Sequence, residues 1–458
     1  MVEPATAITP EPDAKPTSGR RAESQEEVAE AAGDDRKSRN LGILGRTPPF
    51  TLRQRRVFTI ATTAGFFDQY DRALLSLALK QIQAGLKIAE SHLGTMLSVI
   101  RLGYVLSLLL TPLADVFGRR RLLLYTVVGY TAFTALSAIA PGEKTFVVFQ
   151  VLARAFAGAE AAVAVVILAE EVDAAHRGWA IGLLGGISGA GYGLAAIVFA
   201  FVNVIPFGWR GLYAIALVPL VLIIPLRRAL PESARFEKEQ SEGSKPSKVW
   251  EPLVQLYSAY PKRLMMMLSV MFLASMGGNA AGIMFPKFLQ EAHGWSPGNV
   301  SSLFLFGGAL SVMGSIAAGR LSDRFGRRVM GATFFFLAPL MTIWMYTAPG
   351  FSIVPVWILE VFFDIAGSTI MNAYSAEMFP TSYRSTAGSA LVVAGTTGGA
   401  IGLFLEGVLF SLTGSHARSI RYLTVFWLIA PAIMWFFPET SGRELEEISP
   451  EAARPATV

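Results

Sequence analysis

The amino-acid sequence predicts an all-α integral membrane protein, with twelve transmembrane helices in two pseudo-symmetric six-helix bundles. Three observations predict it. The composition is too apolar for a soluble chain of 458 residues: 52% are hydrophobic, only 16% are charged, and the mean hydropathy is +0.46. Apolar runs of about 20 residues, long enough to cross ~30 Å of hydrocarbon, recur along the chain. Three short charged patterns also occur twice at one spacing.

Residues 1–54 are rich in Glu, Ala, Pro and Arg and read as a disordered tail rather than a secretory signal, because the first apolar run comes too late and is too long. The runs lie near 57–82, 91–114, 121–141, 145–169, 178–205 and 209–226, then 263–289, 298–318, 329–348, 351–375, 386–412 and 419–437. Spans this long and apolar are helices, since every backbone group must be satisfied within the segment. The first six form a bundle over 55–228 and the last six a bundle over 262–438. Between them, 229–261 with EKEQSEGSKPSK reads as a cytoplasmic linker, and 439–458 as a C-terminal tail.

The net charge of +5 is no nucleic-acid signature, because the basic residues sit at span ends. Arg53, Arg55 and Arg56, the arginines 119–121, the central loop and Arg320 to Arg328 all fall on one side, and few lie on the other. The positive-inside rule places that side, with both termini, in the cytoplasm of a multi-pass inner-membrane protein. The chain has no cysteine, which excludes disulfides and thiolate metal sites.

LADVFGRRR at 113–121 returns as LSDRFGRRV at 321–329, AEEVDAAHR at 169–177 as AEMFPTSYR at 376–384, and PES at 231 as PET at 438. All three offsets are about 207 to 208 residues, the mark of a duplicated unit. Six spans per unit give both halves the same orientation.

These motifs, with RAFAG at 154–158, PESARF at 231–236 and PETSGRELEEI at 438–448, resemble the major facilitator superfamily, in particular its sugar porters and its metabolite- and aromatic-acid–proton symporters. The resemblance covers about 55–448 and implies two bundles around a central cavity that opens alternately to either side. It also implies a cytoplasmic gate of Asp115, Arg119, Arg120, Glu170, Arg177 and Glu232 in the first half, with Asp323, Arg327, Arg328, Glu377, Arg384 and Glu439 in the second. Thr111 departs from the pattern, standing where the family's motif begins with Gly; Gly319 fits.

Charges inside the spans are the other candidates. At 1.5 Å per residue, Asp71 stands about 22 Å above Arg56, Arg101 about 21 Å above Asp115, and Arg154 about 24 Å above Glu170. Three charges at one level on spans 1, 2 and 4 point to a shared interior cluster, since each alone would cost several kcal/mol. Asp68 shares a helix face with Asp71 and Arg72. The resemblance implies that Asp71, beside Arg154, carries the proton, with Asp68 as an accessory; Arg101 joins the proton-coupling candidates by its depth. The repeat offset maps Asp71 onto Asn279 and Arg154 onto Val361, so the second half has neutral groups at the corresponding places. Asn279 is therefore the leading candidate for solute contact, followed by Gln69, Tyr192 and Glu160. Glu360 and Asp364 form a one-turn acidic pair on span 10.

No phosphate loop, HExxH or GxSxG is present, so no enzyme is expected. The expected function is proton-coupled symport of a small polar organic solute, an organic acid, other metabolite or sugar, by a monomer in the lipid bilayer. It needs no cofactor and no metal; the proton gradient is the energy source. A facilitator, an efflux antiporter and a transporter-like nutrient sensor are the alternatives. Span 5 lacks the Gly-Pro of drug exporters, which disfavours efflux, and the in-span acids disfavour a facilitator.

Overall fold

The computed structural model describes residues 50–172, 174–218, 251–311, 313–380, 382–443 and 448. The chain divides into two compact units, Met1–Arg56 and Val57–Val458. In the described part of the first, Thr51 Oγ1 accepts from Gln54 N at 3.2 Å and Gln54 Oε1 accepts from Thr51 N at 3.0 Å, a reciprocal cap at a helix start. The rest of the expected tail 1–54 lies outside the described residues, as do 229–250 of the linker and nearly all of 439–458 beyond residue 443. The last stretch of the linker, Glu251–Ala259, is helical.

Helices follow the twelve apolar runs: α1 Leu52–Leu77, α2 Glu90–Leu110, α3 Arg119–Ala138, α4 Glu143–Glu171, α5 Ala174–Phe199, α6 Trp209–Ala214, α7 Pro261–Ala292, α8 Met313–Phe325, α9 Arg327–Met345, α10 Ile353–Glu377, α11 Arg384–Thr413 and α12 His416–Trp427. Eight of these segments are individually long and apolar enough to cross a membrane, the eighth span counted from Pro297. The other four have physical reasons or boundaries of their own. α1 carries three charges in its middle, α3 begins with three arginines, α6 runs toward residues outside the description, and α12 breaks at Leu428 before Ile429–Met434.

Both copies of the repeated FGRR turn have the same backbone. Gly118 has φ 93° and ψ 141°, and Gly326 has φ 96° and ψ 144°. Side-chain-bearing residues rarely adopt that conformation, so glycine is what lets α2 and α8 hand over sharply to α3 and α9. The end of the molecule that holds these turns is the motif end; the opposite end is the far end.

Helix α2 packs on α4 and α11, and α7 on α11 and α12. The α2–α11 contact brings backbones together: a Cβ on Gly94 would stand 2.5 Å from both Gly407 N and Leu403 O. One apolar core is shared by the two halves at the far end, with Leu93, Leu97, Ala280, Met284 and Leu403 in it. Another, with Met267, Phe334, Phe335, Tyr374 and Phe379, lies within the second half nearer the motif end. The hydrogen bonds described between the halves gather toward the far end. Ser76 Oγ donates to Ile283 O at 3.0 Å, Gln81 Nε2 to Gln290 Oε1 at 2.7 Å, and Lys287 Nζ to Glu90 at 3.1 Å. The far end is closed by these contacts.

Candidate solute and proton site

Two ion pairs occupy the middle of the first half. Arg154 on α4 reaches Asp71 on α1, Nη1 to Oδ2, at 2.6 Å, and both side chains are almost wholly buried. The same guanidinium donates to the Asp71 carbonyl at 3.3 Å and to Gln150 Oε1 at 3.2 Å, and Gln150 in turn donates to Ser137 Oγ at 3.0 Å. Asp71 Oδ1 has no hydrogen-bond partner among the described residues. One turn away, Asp68 pairs with Arg72 at 2.7 Å, but this pair reaches a cavity, for the Arg72 side chain is 41% exposed. Tyr104 of α2 links the pairs, its ring 4.7 Å from the Arg72 guanidinium and 5.9 Å from that of Arg154.

Helix rise predicts one level for Asp71, Arg101 and Arg154. Asp71 and Arg154 pair directly, whereas Arg101, within electrostatic range of Arg72 and Tyr104, turns its Nε to Thr396 O on α11 at 3.3 Å and lies against Gly399. No carboxylate pairs with Arg101 among the described residues. Arg101 is thus a strut between the halves, a role that depth alone does not reveal.

A cavity of about 1140 Å³ lies between the halves. Arg72, Ser76 and Tyr192 form its first-half wall; Asn279, Trp357, Glu360, Val361, Asp364 and Trp427 are on the other side. Val361, the repeat counterpart of Arg154, is on that wall beside the counterpart of Asp71, Asn279. The Asn279 Oδ1 and Trp427 Nε1 atoms have no hydrogen-bond partner among the described residues. Trp427 lies against Gly277 and Gly278, which leave room for its ring immediately before Asn279. Tyr192 stacks on Phe304 across the halves, centroids 6.0 Å apart. Phe304 sits in a π-type turn, Leu303–Gly307, ahead of α8, and its ring lies 4.8 Å from that of Trp357. Thr342 donates to Glu360 Oε1 at 3.2 Å. The cavity therefore combines an aromatic wall, one cation, two carboxyl groups and a free amide oxygen.

Of the other expected solute contacts, Gln69 is half-buried and does not line this cavity, and Glu160 is fully buried within the first half, neither carboxyl oxygen having a hydrogen-bond partner among the described residues. Trp427 lines the cavity and was not singled out from the sequence; Arg72, expected on one helix face with Asp68 and Asp71, lines it as well.

At the motif end, the described charges of the second half bind one another. Arg327 Nη1 lies 2.5 Å from Asp323 Oδ1 and its Nε 3.2 Å from Glu377. Thr440 also donates to Glu377, at 2.6 Å. Glu439 accepts from the backbone N–H groups of Arg327 at 2.7 Å and Arg328 at 3.1 Å. It thus places a carboxylate on the N-terminus of α9, where the helix dipole favours an anion. Arg328 lies over the Trp435 ring, and Arg384 Nε donates to Phe379 O at 3.3 Å. Arg119 is buried. The side chains of Asp115, Arg120, Glu170 and Arg177, and all of Glu232, lie outside the described residues. Thr111 turns its hydroxyl back to Ser107 O at 2.8 Å.

The sequence profile of the Major Facilitator Superfamily matches residues 61–370 and again 267–457, the two matches beginning about one repeat length apart. The chain is 25% identical to the 4-hydroxybenzoate transporter PcaK of Pseudomonas putida, over 82% of this chain and 91% of that one. It is 24% identical to the niacin transporter NiaP of Acinetobacter baylyi, over 83% and 93%. Its fold matches the crystal structure of a D-xylose–proton symporter with a TM-score of 0.70 and 19% identity, covering 85% of this chain and 99% of the other.

Proposed function

Because the chain belongs to the major facilitator superfamily, and so is a membrane transporter of small solutes, we propose that it is a proton-coupled symporter that takes up a small aromatic organic acid by alternating access. The single observation that carries the coupling is the buried pair of Asp71 and Arg154 at 2.6 Å. Protonating Asp71 removes its attraction for Arg154, frees the guanidinium, and lets helices α1 and α4 move relative to each other. A carboxylate that alternately pairs with Arg154 and carries a proton turns a proton gradient into a conformational bias.

The aromatic wall of Tyr192, Phe304 and Trp357 suits a flat ring, and the relatives named for 4-hydroxybenzoate and niacin carry rings with a carboxylate. Arg72, reached from the cavity, is the cation for that carboxylate, and the Asn279 amide the hydrogen-bond partner for a ring substituent. In this reading the far-end contacts make the present state inward-facing, and the charges of the FGRR turns regroup across the halves when the motif end closes. Glu360 and Asp364 on the same wall favour a second reading, a solute that also carries a basic nitrogen.

Uptake into vesicles tests all of this. Radiolabelled benzoates, pyridine carboxylates, an aromatic amine and a hexose are each supplied with an imposed inward proton gradient. Accumulation of a ring acid that collapses with a protonophore supports the proposal. Uptake that never exceeds equilibrium, or that an outward gradient drives, overturns it.

A further inference from the structure

At the far end five ionisable side chains meet across the two halves. His416, at the start of α12 and ahead of the last apolar run, has both ring nitrogens engaged. Nδ1 lies 2.6 Å from Glu406 Oε1 on α11, and Nε2 lies 2.9 Å from Glu90 Oε2 on α2. Glu406 is fully buried, and the imidazole stacks on Phe410 with centroids 4.1 Å apart. Glu90 also accepts from Lys287 Nζ of α7, at 3.1 Å, and Lys287, only 2% exposed, pairs with Glu291 one turn further along its own helix. On α12, Arg418 stands two residues from His416, and Arg421 Nε donates to Ala417 O at 3.2 Å.

Hydrogen-bond inventory decides what this arrangement contains. Ionised carboxylates only accept, and a neutral imidazole has one N–H. Two carboxylates facing the two nitrogens of one ring therefore require one proton more than a neutral histidine supplies. Four of the five groups belong to the second half, so when the far end opens only Glu90 departs. His416 then keeps Glu406 and loses its other anion.

We propose that Glu90, His416 and Glu406 form a proton-binding latch: the far end closes over the cavity only while a proton is held between these three groups. This site is separate from the Asp71–Arg154 pair, and it rests on the alternating-access reading without depending on which solute is carried. Burial disfavours the His416 charge, but the hydrogen bonds to Glu406 and Glu90 outweigh it and push the pKa up to about 9. The sign follows from linkage. A group with higher proton affinity in the closed state favours closure below its open-state pKa, and that advantage is lost as pH rises through about 9. A proton taken up at this end thus favours the state in which the end is shut. With the far end outside, acid outside promotes closure.

The chain has no cysteine, so spin labels on cysteines placed at exposed Ala84 and Leu412 report the separation of the halves at the far end without background. The full-length protein in lipid nanodiscs, with no solute, is measured by pulsed electron resonance at pH 6.5 and 9.5. A short-distance population that falls about tenfold relative to the long one is expected, since one proton supplies up to tenfold per pH unit. His416→Gln should favour the long distance at both pH values. His416→Arg, a permanent cation, should keep the short distance at both, and this separates loss of the proton from loss of the side chain. Glu90→Gln should weaken the pH response. A wild-type distribution that does not change with pH, or one that changes equally in His416→Gln, overturns the proposal. Neither readout involves Asp71 or transport, so failure of the latch and failure of symport are seen separately.

Discussion

Replacing Asp71 by Asn keeps the shape of the side chain and removes its charge. Arg154, 2% exposed, is left with Gln150 Oε1 at 3.2 Å and the residue-71 carbonyl at 3.3 Å. Removing one partner of a buried ion pair typically costs about 3–5 kcal/mol, because an uncompensated charge stays behind, and the acceptor that Asn retains puts this case near about 3 kcal/mol. Arg154→Gln strands the Asp71 carboxylate and should cost as much or more. The double variant leaves two amides able to hydrogen-bond with no charge to bury. It should therefore be more stable than either single one, with a coupling of about 2 kcal/mol or more. Thermal unfolding of the four proteins in one detergent, followed by tryptophan fluorescence, measures this. Single variants that each lose under about 1 kcal/mol, or a double variant whose loss equals the two combined, would refute the pair as a buried, mutually dependent unit.

Gly94→Ala places a methyl 2.5 Å from Gly407 N and Leu403 O, so it should hold the far end apart. Maleimide labelling of a cysteine at Ser76 in the cavity wall should rise from that side, while Gly142→Ala, where the backbone is extended and the added methyl faces open space, leaves it unchanged. Glu439→Ala removes the carboxylate from the N-terminus of α9 and should cost about 1–2 kcal/mol, read as a lower melting temperature; Glu439→Gln, which still accepts hydrogen bonds, should recover part of it. Asn279→Ala should weaken solute binding about tenfold in equilibrium binding while leaving the pH dependence of uptake unchanged.

Much of this was readable from the chain. The matching conformations of Gly118 and Gly326 follow from one motif written twice, because a turn that needs positive φ is marked by glycine wherever it occurs. Helix rise brought Asp71 to the level of Arg154, since depth in a membrane is nearly a linear function of residue number. For Arg101 it gave the level but not the partner: the guanidinium stays within electrostatic range of Arg72 and Tyr104 yet donates to Thr396 O of the opposite half, because depth gives height and not azimuth. The motifs mark Glu439 as a gate residue of the second half, and only folding shows that it lands on the first turn of α9. Trp427 carries no motif, and its place beside Asn279 depends on Gly277 and Gly278, some 150 residues earlier in the chain. His416 stands at the start of α12 and meets Glu90 from 326 positions away, a distance across which no local pattern operates.

Proton-driven uptake by Asp71→Asn tests the coupling most directly. Vesicles containing wild type or variant are loaded with unlabelled solute for exchange, or left empty under an inward proton gradient for accumulation. With Asp71 as the proton carrier, the variant exchanges solute at a rate near wild type and accumulates none above equilibrium. Full accumulation by the variant, or loss of binding and exchange together, contradicts it.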